Sequence, residues 1–200
     1  MEQQLNFVVA VFDDHRVVET AVGNLLDRGF EKEDICVVGK GYHSDEGVAG
    51  FYNNGRQMRF WGKYGPLWDD LWKSFIGGIF LTVPSMGPVV VLGSLARTVV
   101  SAAEGVFEVS GLSVIGTALF CAGIPREKAV RYESAVKADG FLIKARGNSE
   151  KMLRARIILS RTDPILLDSF QGVQLPPPIE YAPLNHLSPR SFDFMREMHY

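Results

Sequence analysis

Charge is missing where a folded chain of 200 residues would ordinarily place some: no Asp, Glu, Lys or Arg occurs between Lys73 and Arg97, nor between Glu108 and Arg126. Stretches of that length exclude a solvated surface helix and call for an apolar partner, whether a bilayer, another copy of the chain or the rest of the domain. Net charge is also close to absent, at −2, and without a basic face no nucleic-acid partner is expected. Only two cysteines occur, Cys36 and Cys121. Both sit in apolar runs and read as buried small hydrophobes, so no disulfide framework is indicated and a reducing cytosol suits the chain. Met1 to Asn6 lacks the basic start and apolar middle of a signal peptide, and export by that route is not expected.

Motifs that carry chemistry are equally scarce. There is no P-loop and no Gly-x-Ser-x-Gly elbow. Gly39-Lys40-Gly41-Tyr42-His43 follows a strand, but it lacks a third glycine and opens no helix, so it reads as a plain loop. His15, His43, His186 and His199 form no i, i+4 pair and have no cysteine nearby, which leaves them as surface histidines rather than metal ligands. Asp13, Asp14 and His15 gather at a strand end, yet helix capping accounts for both aspartates. The expectation is a protein that is not an enzyme, with no catalytic residues, no metal and no cofactor.

What is present is a repeated pattern. Phe7 to Phe12 is a continuous apolar run of a buried strand. Asp13-Asp14 signals a helix start, Val17, Val18, Ala21, Val22, Leu25 and Leu26 recur at helical spacing, and Gly29 closes the helix; Ile35 to Val38 makes a second strand. The order returns with a strand at Phe141 to Ala145, a turn with a capping residue at Gly147-Asn148-Ser149, a helical face from Met152 to Leu159 and a final strand at Ile165 to Phe170. Two such β-α-β units predict an α+β, ferredoxin-like split arrangement. Phe7, Val9, Val11, Val22, Leu26, Ile35, Val37, Leu142, Leu153 and Ile157 are its expected core. A helix from Pro125 to Lys137 leads into the second unit with Ala129, Tyr132 and Val136 facing inward. Tyr52-Asn53-Asn54-Gly55-Arg56 carries an Asn-Gly signal for a small β-ribbon.

The expected domains are 1–64 with 125–171 for the ferredoxin-like part, 65–124 for an inserted glycine-rich apolar helical hairpin, and 172–200 for an extended proline-rich tail. Pro84 and Pro88, with Gly87 between them, divide the first arm of the hairpin into two short helices, so a buried or bilayer-skimming hairpin is expected rather than a spanning one. Small residues at this density let helices approach closely. Trp68, Trp72, Phe75, Gly77, Gly78, Phe80, Gly87, Gly93, Gly111 and Gly116 are therefore the expected oligomer or membrane interface. The aromatic group around Trp68 and Trp72 fits either a membrane-water boundary or a cover over the junction of sheet and hairpin. In the tail, Pro176-Pro177-Pro178 presets an extended conformation, and Tyr181, Leu184, Leu187, Phe192, Phe194 and Met195 are the expected partner-docking anchors.

A family resemblance rests on Ala10-Val11-Phe12-Asp13-Asp14, Leu25-Leu26-Asp27-Arg28-Gly29-Phe30 and Ile35-Cys36-Val37-Val38-Gly39, and on Gly123-Ile124-Pro125-Arg126-Glu127-Lys128-Ala129-Val130-Arg131-Tyr132-Glu133 followed by Gly140-Phe141-Leu142-Ile143. Over roughly Phe7 to Phe170 the chain resembles the general stress protein family of heat-induced bacterial proteins. The resemblance implies a bacterial protein, cytoplasmic or peripheral to the inner face of the membrane, with no catalytic residues to carry over. The tail from Val173 to Tyr200 is outside the resemblance.

The expected function is a non-enzymatic oligomeric scaffold that self-associates through its hairpin and docks a protein partner through its tail. The alternative is a peripheral membrane anchor, or a carrier of a lipid- or quinone-like molecule, that serves a redox or stress-response complex.

Overall fold

Every residue from Phe7 to Phe12 of the first strand, β1 (Leu5–Phe12), is buried. That explains a run without alternation: helices cover both faces of the sheet, so neither face needs polar side chains. This computed structural model describes residues 5–41, 51–53, 58–60, 65–75, 77–106 and 108–175. After β1 come α1 (His15–Asp27), a 3-10 turn (Lys32–Asp34), β2 (Ile35–Lys40), β3 (Phe51–Asn53), β4 (Met58–Phe60) and α2 (Gly65–Ser74). They are followed by β5 (Gly78–Val83), β6 (Gly87–Gly93), α3 (Leu95–Ala103), α4 (Val114–Cys121), α5 (Arg126–Lys137), β7 (Phe141–Gly147), α6 (Ser149–Ser160) and β8 (Leu166–Val173). Six strands form one antiparallel sheet in the order β5-β6-β2-β7-β1-β8. β3 and β4 form a separate ribbon in which Tyr52 faces Arg59.

The helix ends are set locally. Asp14 caps α1 by accepting from the Arg16 N–H at 2.9 Å. Gly29, at φ +81°, ends it in a Schellman arrangement, donating to the Leu26 carbonyl while Phe30 N–H reaches Leu25. Asn148 caps α6 through the Lys151 N–H at 2.8 Å, as Ser113 caps α4 through Ile115 and Gly116. The inward residues of α5 are Ala129, Tyr132 and Val136.

Two expectations are corrected. The first arm of the hairpin is not helical: Gly78–Val83 and Gly87–Gly93 are strands that extend the sheet beyond β2, with Val37 opposite Leu92 and Phe80 opposite Val90. Pro84 does not break a helix. It sits second in a turn closed by Met86 N–H to the Val83 carbonyl at 3.1 Å, with Ser85 third at φ +63°, the arrangement of a type II turn. Pro88 lies near the start of β6, where a missing donor is tolerated. The β-branched density of Val89-Val90-Val91 favours this pleated state over a helix. Within 65–124 the helices are α2 before these two strands and α3 and α4 after them.

The second correction concerns α6. Leu153 and Ile157 are 62% and 45% exposed, whereas Met152, Ala155, Ile158 and Leu159 are buried. The helix is apolar on more than one side, and which face meets the sheet was open until β1 and β7 were in place.

Candidate functional site

The register places four side chains in one row across the sheet: Asp168 of β8, Val9 of β1, Lys144 of β7 and Cys36 of β2. All point to the face covered by α3, α4 and α5, since directly paired residues share a face. α1, α2 and α6 cover the other.

Asp168 is fully engaged. It accepts from Lys128 Nζ and from Tyr132 OH, each at 2.7 Å. Burial pushes its carboxyl up, but these two hydrogen bonds outweigh that and hold it below the ordinary carboxylate value. Burial, and then the bond to Asp168, pushes the Tyr132 hydroxyl far up, so it is a donor at any ordinary pH.

Lys144 differs. Its residue is 7% exposed, its Nζ lies 3.4 Å from the Ala122 carbonyl oxygen at the end of α4, and it sits 4.5 Å above the centre of the Phe7 ring. Among the described residues no carboxylate pairs with it. Burial is the main force pushing its ammonium below the ordinary lysine value; Cys36 opposes the shift and Arg146 adds to it. Lys144 forms part of the wall of a cavity of about 180 Å³. Ser94, Thr98, Cys121 and Arg146 supply the polar lining, while Leu5, Phe7, Leu95 and Leu175 supply the apolar part. Burial also raises the Cys121 thiol, so it is no activated thiolate. Ser94 Oγ lies 3.2 Å from Cys36 Sγ.

A larger, more open cavity of about 460 Å³ lies among the β5–β6 turn, α3 and the start of α4. Its acidic lining is Glu108 and Glu133, and Glu133 accepts from the Ser113 N–H at 3.2 Å at the start of α4.

The expected interface residues scatter. Trp68 is wholly buried, donates to the Lys40 carbonyl oxygen at 3.0 Å and packs on Phe141 at 5.9 Å, so it belongs to the core. Phe75 is buried, and Trp72 is half-buried beside Gly78. Gly93, at φ +83°, lies against the Ile35 carbonyl, and Gly116 against the Glu133 carboxylate. Gly77, Gly87 and Gly111 take positive-φ backbone positions. Phe80 is half-buried on β5 at the edge of the sheet. The tail residues Tyr181, Leu184, Leu187, Phe192, Phe194 and Met195 lie outside the described residues, as do His43, His186 and His199. Among the described residues no helix is long and apolar enough to cross a membrane.

Sequence reasoning passed over Lys144, although a lysine inside Phe141-Leu142-Ile143-Lys144-Ala145 is out of place in a buried strand, and that was the available signal. Ser94, Thr98 and Leu5 carried none. Comparison with family models, with curated proteins and with solved structures finds no match for this chain.

Proposed function

We propose that the protein is a non-enzymatic assembly protein in which copies join through the outer edge of β5. The observation that carries this reading is the composition and place of that strand. Gly78-Ile79-Phe80-Leu81-Thr82-Val83 contains no charge and no proline, and it is the outermost strand of the sheet, with Ile79 and Leu81 only partly buried. Monomeric proteins usually protect such an edge with lysine, proline or a bulge. Two β5 strands meeting antiparallel give a two-fold, self-complementary contact that continues one sheet into the next.

The order β8-β1-β7-β2 within the sheet supports reading those four strands with α1 and α6 as a ferredoxin-like unit, to which β5 and β6 are an addition. On that reading, and on the resemblance to the general stress protein family, the insertion serves assembly. The proline-rich tail, which follows β8 at the opposite edge, serves docking of a protein partner.

Sedimentation velocity tests the central claim. Wild-type protein is expected to sediment as a dimer or larger, and the double variant Ile79→Lys, Leu81→Lys as a monomer with unchanged circular dichroism. A monomeric wild type, or a folded double variant that still associates, overturns the reading.

A further inference from the structure

Among the described residues the buried cation Lys144 has no counter-charge. Lys144 has a single hydrogen bond, a long one to a carbonyl at 3.4 Å, and three donor protons to place. The aromatic face of Phe7 below it is a weak substitute for an anion. Asp168, the acid in the same row, is separated by β1 and already holds Lys128 and Tyr132. Arg146, two positions along the same strand and hence on the same face, faces the same cavity. Its one acid, Asp34, sits at 3.4 Å and is shared with Lys151. Two cations thus face one cavity, and among the described residues the one carboxylate near them, Asp34, is shared with Lys151.

Leaving an ammonium buried and unpaired is unfavourable by several kcal/mol in order of magnitude, and an apolar side chain would fill the same place in the strand. The rest of the lining says what would reward the charge. Ser94 and Thr98 add hydroxyls to the lining, and Leu5, Leu95 and Leu175 are among its apolar residues. An apolar cavity of about 150 Å³ takes a benzene molecule, so a cavity of about 180 Å³ is of a size to receive a small organic molecule.

We propose that this cavity binds a small organic anion, a carboxylate carrying a short apolar chain. Its head lies between Lys144 and Arg146, and its body rests against Leu5, Leu95 and Leu175. The charge-assisted contact to Lys144 fixes the head, and the chain excludes water from it. The site makes no use of the β5 edge, so it stands or falls separately from the assembly reading.

Isothermal titration of the full-length protein with hexanoate tests the proposal, with hexanol and inorganic phosphate as probes that keep only the chain or only the charge. Hexanoate is expected to bind saturably, and each of the other two at least about tenfold more weakly, a difference of roughly 1.4 kcal/mol. Lys144→Met, which keeps the length and apolar stem, is expected to weaken hexanoate by about tenfold or more. Thr98→Phe, which leaves both cations in place and fills the cavity, is expected to abolish binding. Failure of wild type to bind hexanoate, or undiminished binding by either folded variant, overturns the site. Phosphate binding as tightly as hexanoate overturns the assignment to an organic anion. If Lys144→Met does not fold, Thr98→Phe decides alone.

Discussion

Asp139 meets Lys40 Nζ at 2.7 Å from a left-handed backbone position, φ +67°. It follows α5 where glycine is usual: its own N–H donates to the Val136 carbonyl and Gly140 N–H to Ala135. A left-handed L-residue is strained by about 1 kcal/mol or a little more, and the ion pair, with Lys40 almost buried, offsets that strain. Asp139→Gly relieves the backbone but strips the lysine of its carboxylate, a change that ordinarily destabilises by about 3 kcal/mol or more. Urea unfolding should therefore show a net loss of about 2 kcal/mol, and a variant as stable as wild type would mean the pair does no more than cancel the backbone strain.

The Asp168 cluster should make the fold acid-sensitive. Its carboxyl is held below the ordinary 3.8, so the stability it contributes is present above that value and is lost as pH falls through the lower folded value. Tyr132→Phe removes one of the two bonds and should destabilise by about 1.5 to 3 kcal/mol near neutral pH. The gap between wild type and Tyr132→Phe should then narrow below about pH 4. A gap that stays constant on acidification would show that Tyr132 does not act through the ionised carboxylate.

Lys144 predicts a slope of the same sign, but at high pH. Burial holds its ammonium below the ordinary 10.5, so in the window between the folded value and 10.5 the unfolded chain binds more protons, and stability rises with pH. Lys144→Met lacks this contribution. The stability of wild type relative to that variant should climb toward about pH 10, and a difference that is flat with pH would contradict the buried, uncompensated charge.

Two glycines with nearly the same backbone angle should respond differently. Gly93→Ala, at φ +83°, places a methyl on the Ile35 carbonyl where β6 pairs with β2, and a loss above about 3 kcal/mol is expected, with loss of amide protection along β6. Gly29→Ala, at φ +81° with open space around it, should cost about 1 kcal/mol from the backbone alone. Equal losses in thermal unfolding would place the whole effect in the backbone angle and none in the strand contact.

A separate variant distinguishes internal packing from assembly at α4. Gly116→Leu would collide with Glu133 and disrupt the Ser113 contact at the start of the helix. It should lower the melting temperature, by an amount matching about 2 kcal/mol or more, without changing the sedimentation of the protein that remains folded. A folded variant that dissociates would instead place α4 in the contact between copies.

Local chemistry settled much of this protein from the sequence alone. The apolar run of β1, the Asp14 and Asn148 caps, the Gly29 terminus and the inward positions of α5 each follow from rules that act within a few residues, and all were legible. The uncharged run from Ser74 to Ala96 was not, because absence of charge says that a segment is buried without saying whether it lies as a helix or as a strand. That choice came from β2, whose free edge receives β6, and from the turn at Pro84-Ser85. The phase of α6 was likewise decided by the sheet it meets, which buried Ile158 and left Leu153 in solvent. The cavity around Lys144 is the clearest case. Its walls come from β1, β7, α3, α4 and the residues after β8, separated by up to 170 positions from Leu5 to Leu175, and no spacing rule connects them. Residue chemistry fixes what each short segment can bury, whereas the sheet register alone fixes which of those segments share a face.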